Sequence, residues 1–578
     1  MAARLTTYVV VAIVAATLIA GLIVGAQRDD SNGPVDLIVF NGRVYTADGS
    51  GRMAEAVAVR GNQILRVGSD REIQRLRRPQ TIVVDARGGA VLPGFNDADV
   101  HFTDGAIALD GVDLLGADSI DEAQARIREW AEANPQRPWI VGRGWSSRMA
   151  AAGLPTRQLL DAAVSDRPAF MLSADGRTAW VNTRALRLAG VTRRTADPDA
   201  GTIEKDPRTG EPTGVLVDAA TSLAVRLIPK PTHAQRARAL HAAIAAAHEN
   251  GVTSVHDAAV GPDAFALYEE ARTAGELNLR VYSSVGVSDR TTADDFSTLE
   301  ALSRKYPDDP LFKVGGARIA LDGPVDGFEA ALLEPYAGRS PTGAGETSIG
   351  PDELNRLVRM LDGRGWQVTL DAFGDRAVRM ALNAYEHAER SNPKPLRGRR
   401  HRIGHLALIS PDDVARMSQL NVIALLWPSQ ATPFSGRLDA WTRMLGEERT
   451  ARAWPASSLA AAHSRVAFAT GWPAASQNPL AAIQAAVTRT DDGAPDDPWN
   501  AGESLPLKRA IDAFTSAPAY ASFDEHRKGS LKAGMLADLV VLSTDIFAAP
   551  PSRISAADVA ATIFDGKIVY RRTGTSTN

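Results

Sequence analysis

The segment LPGFNDADVHF, residues 92–102, contains the break that decides the fold. The apolar run before it predicts a buried strand that ends at Pro93-Gly94, and a second short strand follows the break. Asp99 and His101 lie two residues apart, and side chains at positions i and i+2 of a strand point to the same face. An aspartate and a histidine on one face are a potential first pair of metal ligands.

Short apolar runs alternate with helical segments through the middle of the chain. Eight such runs lie near residues 90–101, 252–256, 279–287, 316–321, 366–371, 400–406, 422–427 and 465–470. The alternation is typical of parallel βα units, and eight units form a barrel whose site lies at the carboxyl ends of the strands. Residues 93–528 are therefore predicted to form an α/β domain, a (β/α)8 TIM-type barrel, with residues from about 105 to 231 inserted over its mouth.

Both ends of the chain show a different pattern, in which β-rich runs flank hairpin turns. Asn41-Gly42 and Gly61-Asn62 mark such turns near the beginning, and Asp565-Gly566 marks one near the end. Residues 35–92 and 529–578 are therefore predicted to be the two parts of one composite β-sandwich.

Residues 1–34 precede the sandwich and include the uncharged stretch Val9 to Ala26. Its length lies between that of a signal-peptide core and that of a membrane-spanning helix. We expect a protein that is either anchored in the inner membrane by this helix or exported across that membrane.

Composition excludes several kinds of chemistry and partner. The 578 residues include no cysteine, which excludes disulfides, thiolate catalysis and cysteine-ligated zinc. The net charge of −4 gives no reason to expect a nucleic-acid partner, and the expected partner is a small-molecule substrate or ligand. The oligomeric state stays open.

Six motifs follow one another in the chain. They are LPGFNDADVHF (92–102), WVNTRAL (180–186), GVTSVHD (251–257), FGDRA (373–377), HRIGH (401–405) and GSLKAGMLADLVVL (529–542). Together they resemble the amidohydrolase superfamily, and in particular its branch of N-substituted formamide deformylases, over about residues 35–570. The resemblance implies a metal-dependent barrel that hydrolyses amide-type C–N bonds with a metal-activated water. A carboxylate at the end of the last strand would transfer the proton.

The sequence departs from the family pattern at most of the metal-binding positions. Asp99 stands where the family has the first histidine of strand one, and Arg318 stands where it has the strand-four lysine. Asp371 stands where it has the strand-five histidine. His101 is retained, as is His405 on strand six. An arginine stays protonated, so Arg318 cannot become a carboxylated ligand as the family's lysine does in some members.

Other positions of the family's site are also changed. Gly404 replaces a glutamate before the retained histidine of strand six, and Gly471 replaces the strand-eight aspartate. The catalytic base is therefore unknown. Arg177 and Gln430 replace two accessory histidines.

Two hypotheses follow. In the first, Asp99, His101, Asp371 and His405 hold one divalent metal, Zn, Mn or Fe, in an altered mononuclear or weakened site. The protein is then a hydrolase of non-peptide, amide-type C–N bonds. In the second, it holds no metal and is a catalytically inactive binding or scaffold protein of the same fold at the membrane.

Four residues are expected to line the pocket in either case. They are Arg318, Arg177, Trp145 and Gln430. The two arginines would either attract an anionic ligand or form ion pairs with Asp99 and Asp371.

Overall fold

The described part of the chain begins with a region of β-structure. The computed structural model describes residues 34–146, 149, 153–174, 176–306, 308–337, 343–433, 437–490 and 497–572. The first elements are β1 (Leu37–Phe40), β2 (Arg43–Tyr45), β3 (Met53–Ala54), β4 (Ala56–Arg60), β5 (Gln63–Gly68), α1 (Asp70–Gln74), β6 (Ile82–Asp85) and β7 (Ala90–Pro93).

After Gly94 the chain forms the first strand of the eight-stranded sheet and then enters the insertion. These elements are β8 (Phe95–Val100), α2 (Phe102–Leu109), β9 (Val112–Asp113), α3 (Ile120–Ala133), β10 (Ile140–Trp145), α4 (Arg157–Asp161), β11 (Ala169–Ser173), β12 (Thr178–Val181), α5 (Thr183–Ala189), β13 (Gly201–Lys205), β14 (Pro212–Asp218) and α6 (Ser222–Val225).

The middle of the chain alternates helices and strands. It contains α7 (His233–Glu249), β15 (Val252–Asp257), α8 (Pro262–Thr273), β16 (Arg280–Gly286), α9 (Ala293–Lys305), β17 (Phe312–Ala320), α10 (Pro351–Gly363), β18 (Gln367–Ala372), α11 (Asp375–Ser391), β19 (Arg402–His405), α12 (Pro411–Gln419), β20 (Ile423–Leu426), α13 (Arg437–Leu445), α14 (Glu447–Thr450), α15 (Ala456–Ala461) and β21 (Arg465–Phe468).

Three further helices come next, and the last three strands then return to the sandwich. They are α16 (Pro479–Thr488), α17 (Leu507–Ala513), α18 (Ser516–Ala521), β22 (Leu539–Leu542), β23 (Val559–Phe564) and β24 (Lys567–Arg571).

Eight parallel strands form the barrel, in the order β8-β15-β16-β17-β18-β19-β20-β21. Hydrogen bonds connect the first and last strands. The Asp97 carboxylate, on β8, accepts them from the backbone N–H and the hydroxyl of Thr470, two residues beyond the end of β21. The predicted (β/α)8 barrel is confirmed. Asp99, Arg318, Asp371 and His405 lie near the carboxyl ends of β8, β17, β18 and β19, at one end of the barrel.

The two ends of the chain meet in one sheet of the sandwich. β7 pairs with β22, with Leu92 opposite Val540, so the six-stranded sheet runs β24-β23-β22-β7-β2-β3. A second sheet, β5-β4-β1-β6, packs on it through aliphatic side chains such as Val39 and Val57 against Leu539 and Ile563. The predicted composite sandwich is therefore confirmed, and the Pro93-Gly94 break is the point at which the chain leaves it for the barrel.

The insertion has a sheet and hydrophobic cores of its own. Its six strands run β13-β14-β12-β11-β10-β9, and the helices α3 to α6 cover them. Within the residues that the structure describes, no helix has the length and apolar character needed to cross a membrane. The predicted signal or anchor helix lies outside the described residues.

A buried ion network joins the barrel to the sandwich. Arg280, at the start of β16, donates to both carboxylate oxygens of Asp538, at 2.6 and 3.0 Å, and to Asp565 at 2.8 Å. Arg280 and Asp538 are 3% and 5% exposed, so neither charge has water as an alternative partner. The network therefore holds the sandwich against the amino end of the barrel.

We expect Arg280→Ala to lower the free energy of unfolding by about 3–5 kcal/mol, because it leaves Asp538 buried without its counter-charge. Urea denaturation followed by circular dichroism measures this loss. The control is Arg304→Ala, which removes an exposed pair with Glu300 and should change stability little. A loss no larger than that of the control would contradict the role of the network.

Candidate active site

A guanidinium occupies the centre of the carboxyl end of the barrel. The Nε atom of Arg318, on β17, donates to Asp371 Oδ2 at 2.7 Å, and Nη2 donates to Asp99 Oδ2 at 3.1 Å. Its Nη1 atom also bonds to Asp99 Oδ1. All three side chains are at most 10% exposed. Two carboxylates, one from β8 and one from β18, therefore hold one arginine from β17, the neighbour of β18 in the barrel wall.

The electrostatics of this cluster favour the charged forms. Burial alone would raise the pKa of Asp99, but the charge and hydrogen bonds of Arg318, with smaller contributions from His405 and His101, lower that pKa to about 2. Burial likewise opposes the charge on Arg318, but Asp371 and Asp99 raise the pKa of its guanidinium above the ordinary value. Asp99 and Arg318 therefore form a charged pair at neutral pH.

His405 ends β19 in a left-handed conformation, with φ 65°. Its ring stacks on Phe373 with centroids 4.0 Å apart and packs against Trp427 at 4.6 Å. Burial lowers the pKa of His405, so the imidazole is neutral at physiological pH. Its Nδ1 atom is buried and has no hydrogen-bond partner among the described residues. Phe373 and Trp427 thus hold the imidazole ring in place, while its Nδ1 atom forms no hydrogen bond with the described residues.

His101 lies just beyond the end of β8, at the N-cap of α2. Its backbone N–H donates to Trp472 O at 2.9 Å, and its side chain is only partly buried. It lies two residues after Asp99 in the chain and helps to lower the pKa of that carboxylate. It is the most accessible of the four predicted ligands.

The residues present do not fit a divalent metal at this centre. Both oxygens of Asp99 and one oxygen of Asp371 already accept hydrogen bonds from Arg318. A metal bound by these carboxylates would lie beside a permanent positive charge. In the described part of the chain, no group of three or more His, Cys, Asp or Glu side chains is arranged to hold a metal ion.

An indole ring lies beside Gly471, where the resemblance to the family implied an aspartate. Gly471 has φ 71°, and a Cβ atom there would lie 2.5 Å from the ring of Trp427. The Trp427 Nε1–H donates to Asp99 Oδ2 at 3.3 Å. Similarly, a Cβ atom on Gly404 would lie 2.4 Å from Asp371 Oδ1. Gly471 therefore leaves room for Trp427, which donates to Asp99. Gly404 leaves room for Asp371.

The other predicted pocket residues lie apart from Arg318. Arg177 pairs with Asp218 at 2.8 Å and with Glu329 at 3.1 Å. Trp145 lies in the core of the insertion, where its indole N–H donates to the carbonyl of Met171 at 2.8 Å. Gln430 lies in the short 3-10 helix Pro428–Ala431 and is partly buried. The structure thus brings together Asp99, His101, Arg318, Asp371 and His405 and places these three elsewhere.

Sequence reasoning missed a second charged layer below the site. Arg402 donates to His256 Nδ1 at 2.8 Å and to the carbonyl of Ala521 at 2.6 Å. Within the described part of the chain, the buried His256 Nε2 has no hydrogen-bond partner. Arg402 has no carboxylate partner among the described residues, and burial lowers its pKa to about 10. The alternation of β19 is a signal for this position, because Arg402 and Gly404 are two residues apart and share the inner face.

We expect Arg318→Met to lower the free energy of unfolding by about 3–5 kcal/mol, because two buried carboxylates lose their counter-charge. Adding Asp99→Asn and Asp371→Asn to this variant should recover part of the loss. Urea denaturation measures both effects. A triple variant no more stable than Arg318→Met alone would show that unpaired charge is not the cause.

A further prediction concerns the space beside Trp427. Gly471→Ala should destabilise the protein by about 1–3 kcal/mol more than Gly446→Ala, because only the first adds a clash with a packed ring. Both glycines have positive φ, 71° and 82°, but a Cβ atom on Gly446 meets nothing within 4 Å. The pair of variants separates the clash from backbone strain in thermal or urea unfolding, and equal losses would contradict it.

Comparison with known proteins identifies the family. The model of the "Amidohydrolase family" matches residues 82–570. The protein "LONG AFTER FAR-RED 3" of Arabidopsis thaliana is 31% identical over 93% of this chain and 91% of its own length. An "N-substituted formamide deformylase" of Arthrobacter pascens is 28% identical over 93% of this chain and 99% of its own.

A solved structure shares the fold. The crystal structure of an uncharacterised metal-dependent hydrolase from Pyrococcus furiosus superposes with a TM-score of 0.67, at 24% identity, over 88% of this chain and 99% of that one. The eight-stranded barrel, the composite sandwich and the family match over most of the sequence agree. The chain belongs to the amidohydrolase family.

Proposed function

We propose that this member of the amidohydrolase family binds a small molecule at the carboxyl end of its barrel without metal-dependent hydrolysis. The ion cluster of Asp99, Arg318 and Asp371 carries this proposal. In it, the guanidinium neutralises the carboxylates that would otherwise hold a metal. A metal ion entering between them would have to displace Arg318 and leave that charge buried, which is strongly unfavourable.

The neighbouring substitutions support the same proposal, because they are adapted to one another. Trp427 donates to Asp99 and covers the position where a side chain at residue 471 would begin. Asp371 lies where a side chain at residue 404 would begin. A barrel that merely lost one ligand would not need these matching changes. The set is consistent with a centre that is packed and charged for a state without a metal.

The charge of the cluster also limits the ligand. Arg318 is paired with two carboxylates, and Arg177 is paired with Asp218 and Glu329, so both arginines are already neutralised. The expectation of an anionic ligand therefore loses its support. We propose a neutral or cationic small molecule, with the partly exposed His101 as its nearest polar contact at the mouth.

Hydrolysis of amide-type C–N bonds is the second candidate function. Two buried atoms favour it, because His405 Nδ1 and Asp371 Oδ1 have no hydrogen-bond partner in the residues that the structure describes and are types of atom that bind metals. The relative named as an N-substituted formamide deformylase supports the same reaction class. In this alternative, Asp99, His101, Asp371 and His405 would hold one metal after Arg318 had moved aside.

Metal analysis of the purified full-length protein separates the two candidates. We expect less than stoichiometric Zn, Mn and Fe after dialysis against each ion, and no rise in melting temperature on addition of Zn²⁺ or Mn²⁺. Bound metal would raise that temperature by mass action. We also expect no hydrolysis of an N-substituted formamide in the presence of either ion.

His405→Ala removes one of the four predicted metal ligands. Its control is His387→Ala, which removes an exposed histidine on α11. One equivalent of metal that is lost in His405→Ala but kept in His387→Ala would contradict the proposal and support the hydrolase. Hydrolysis that depends on the added metal and is lost in the same variant would do so as well.

A further inference from the structure

Exposed cations and aliphatic side chains are concentrated on α5, α6 and the segments of the insertion that follow them. The cations are Arg184, Arg187, Arg193, Arg194, Arg226 and Lys230, and the aliphatic members are Leu188, Val225 and Leu227; we call these nine residues the basic patch. Helix α5 packs against α6, which brings the two segments together.

The apolar members of the basic patch face solvent. Leu188, Val225 and Leu227 are 58%, 47% and 38% exposed. The opposite faces of the same helices supply the core of the insertion, where Leu186 and Ala224 are buried. The core is therefore complete without the three exposed side chains, and folding alone does not account for their apolar character. Exposed aliphatic residues grouped in this way indicate a contact surface.

The charge of the basic patch has one sign. Residues 183–194 and 222–230 contain the six cations and no aspartate or glutamate. All six are exposed, and none forms an ion pair with a residue in the part of the chain that the structure describes. The chain as a whole carries a net charge of −4, so this concentration of positive charge is local. A partner that matches it must be negatively charged and must accept aliphatic side chains.

An anionic lipid surface has both properties. Its headgroups attract lysine and arginine, while aliphatic side chains between the cations enter the boundary of the acyl chains. Nucleic acid matches less well, because the patch has no aromatic side chain on which a base could stack. The uncharged stretch from Val9 to Ala26 is an independent reason to expect the protein at a membrane.

We infer that the basic patch docks the insertion on the anionic surface of a lipid bilayer. The aliphatic side chains enter the headgroup region, and the surrounding cations pair with lipid phosphates. Docking in this way fixes the orientation of the barrel relative to the membrane. The inference is separate from the proposed function, since none of its residues belongs to the ion cluster.

The absence of cysteine allows a test with the full-length protein. Leu188→Cys is labelled with a polarity-sensitive fluorophore, and the protein is reconstituted into vesicles of phosphatidylcholine with or without phosphatidylglycerol. We expect a blue shift and quenching by brominated lipid only in the anionic vesicles, reversed by about 0.5 M NaCl because salt screens the contact. The same label at Leu396→Cys, a fully exposed site outside the patch, should not respond.

A matched pair of charge variants tests the role of the cations. Arg184→Gln, Arg187→Gln and Arg226→Gln together should weaken docking on the order of a hundredfold, since each cation near an anionic surface contributes about fivefold. Arg71→Gln, Arg75→Gln and Arg77→Gln make the same change in net charge on exposed sandwich residues and should leave docking unchanged.

Three results would overturn the inference. They are an equal response in neutral and anionic vesicles, an equal effect of the two triple variants, and the absence of any response to lipid. A response to polyglutamate without one to anionic vesicles would instead assign the patch to an acidic protein partner.

Discussion

A guanidinium held between two buried carboxylates is the constraint on which the arrangement at the barrel mouth depends. Removing Arg318 would leave Asp99 and Asp371 without counter-charge in a region that water does not reach, and removing either aspartate would weaken the hold on Arg318. The neighbours follow from this pairing. Trp427 can approach Asp99 because residue 471 has no side chain, and Asp371 can take its position because residue 404 has none.

Two layers of buried charged groups lie inside the barrel. The upper layer contains one arginine and two aspartates and has an excess of one negative charge. Below it, Arg402 is buried without a carboxylate partner in the described chain, and the negative charge of Asp99 helps to keep it protonated. The interior of this barrel is stabilised by a polar network in addition to the aliphatic layers that are usual in the fold.

The fold and the centre depend on different residues. Parallel strands require apolar runs and turn residues that many sequences provide, so the barrel and sandwich are recognisable at 24% identity to a solved hydrolase. The centre depends on a few polar side chains at strand ends. Exchanging these side chains changes the charge and the packing of the site without disturbing the strands that carry them.

Much of the fold could be predicted from the sequence because local patterns encode it. The alternation of strands and helices indicated eight βα units, and the β-rich ends indicated one sandwich; the ladder between β7 and β22 confirms that those ends meet. The positions of Asp99, Arg318 and Asp371 at strand ends were also readable. Arg402 was not, because its role depends on His256, which is 146 residues away in the chain.

The sequence by itself determined the barrel, the sandwich, and the identity of the polar groups at the carboxyl ends of the strands. Only the tertiary structure decided how these groups pair. Asp99 and Asp371 could have held a metal or paired with Arg318, and spacing along a strand does not distinguish the two arrangements. The choice depends on distances between side chains from different strands, and on the burial that removes water as an alternative partner for each charge.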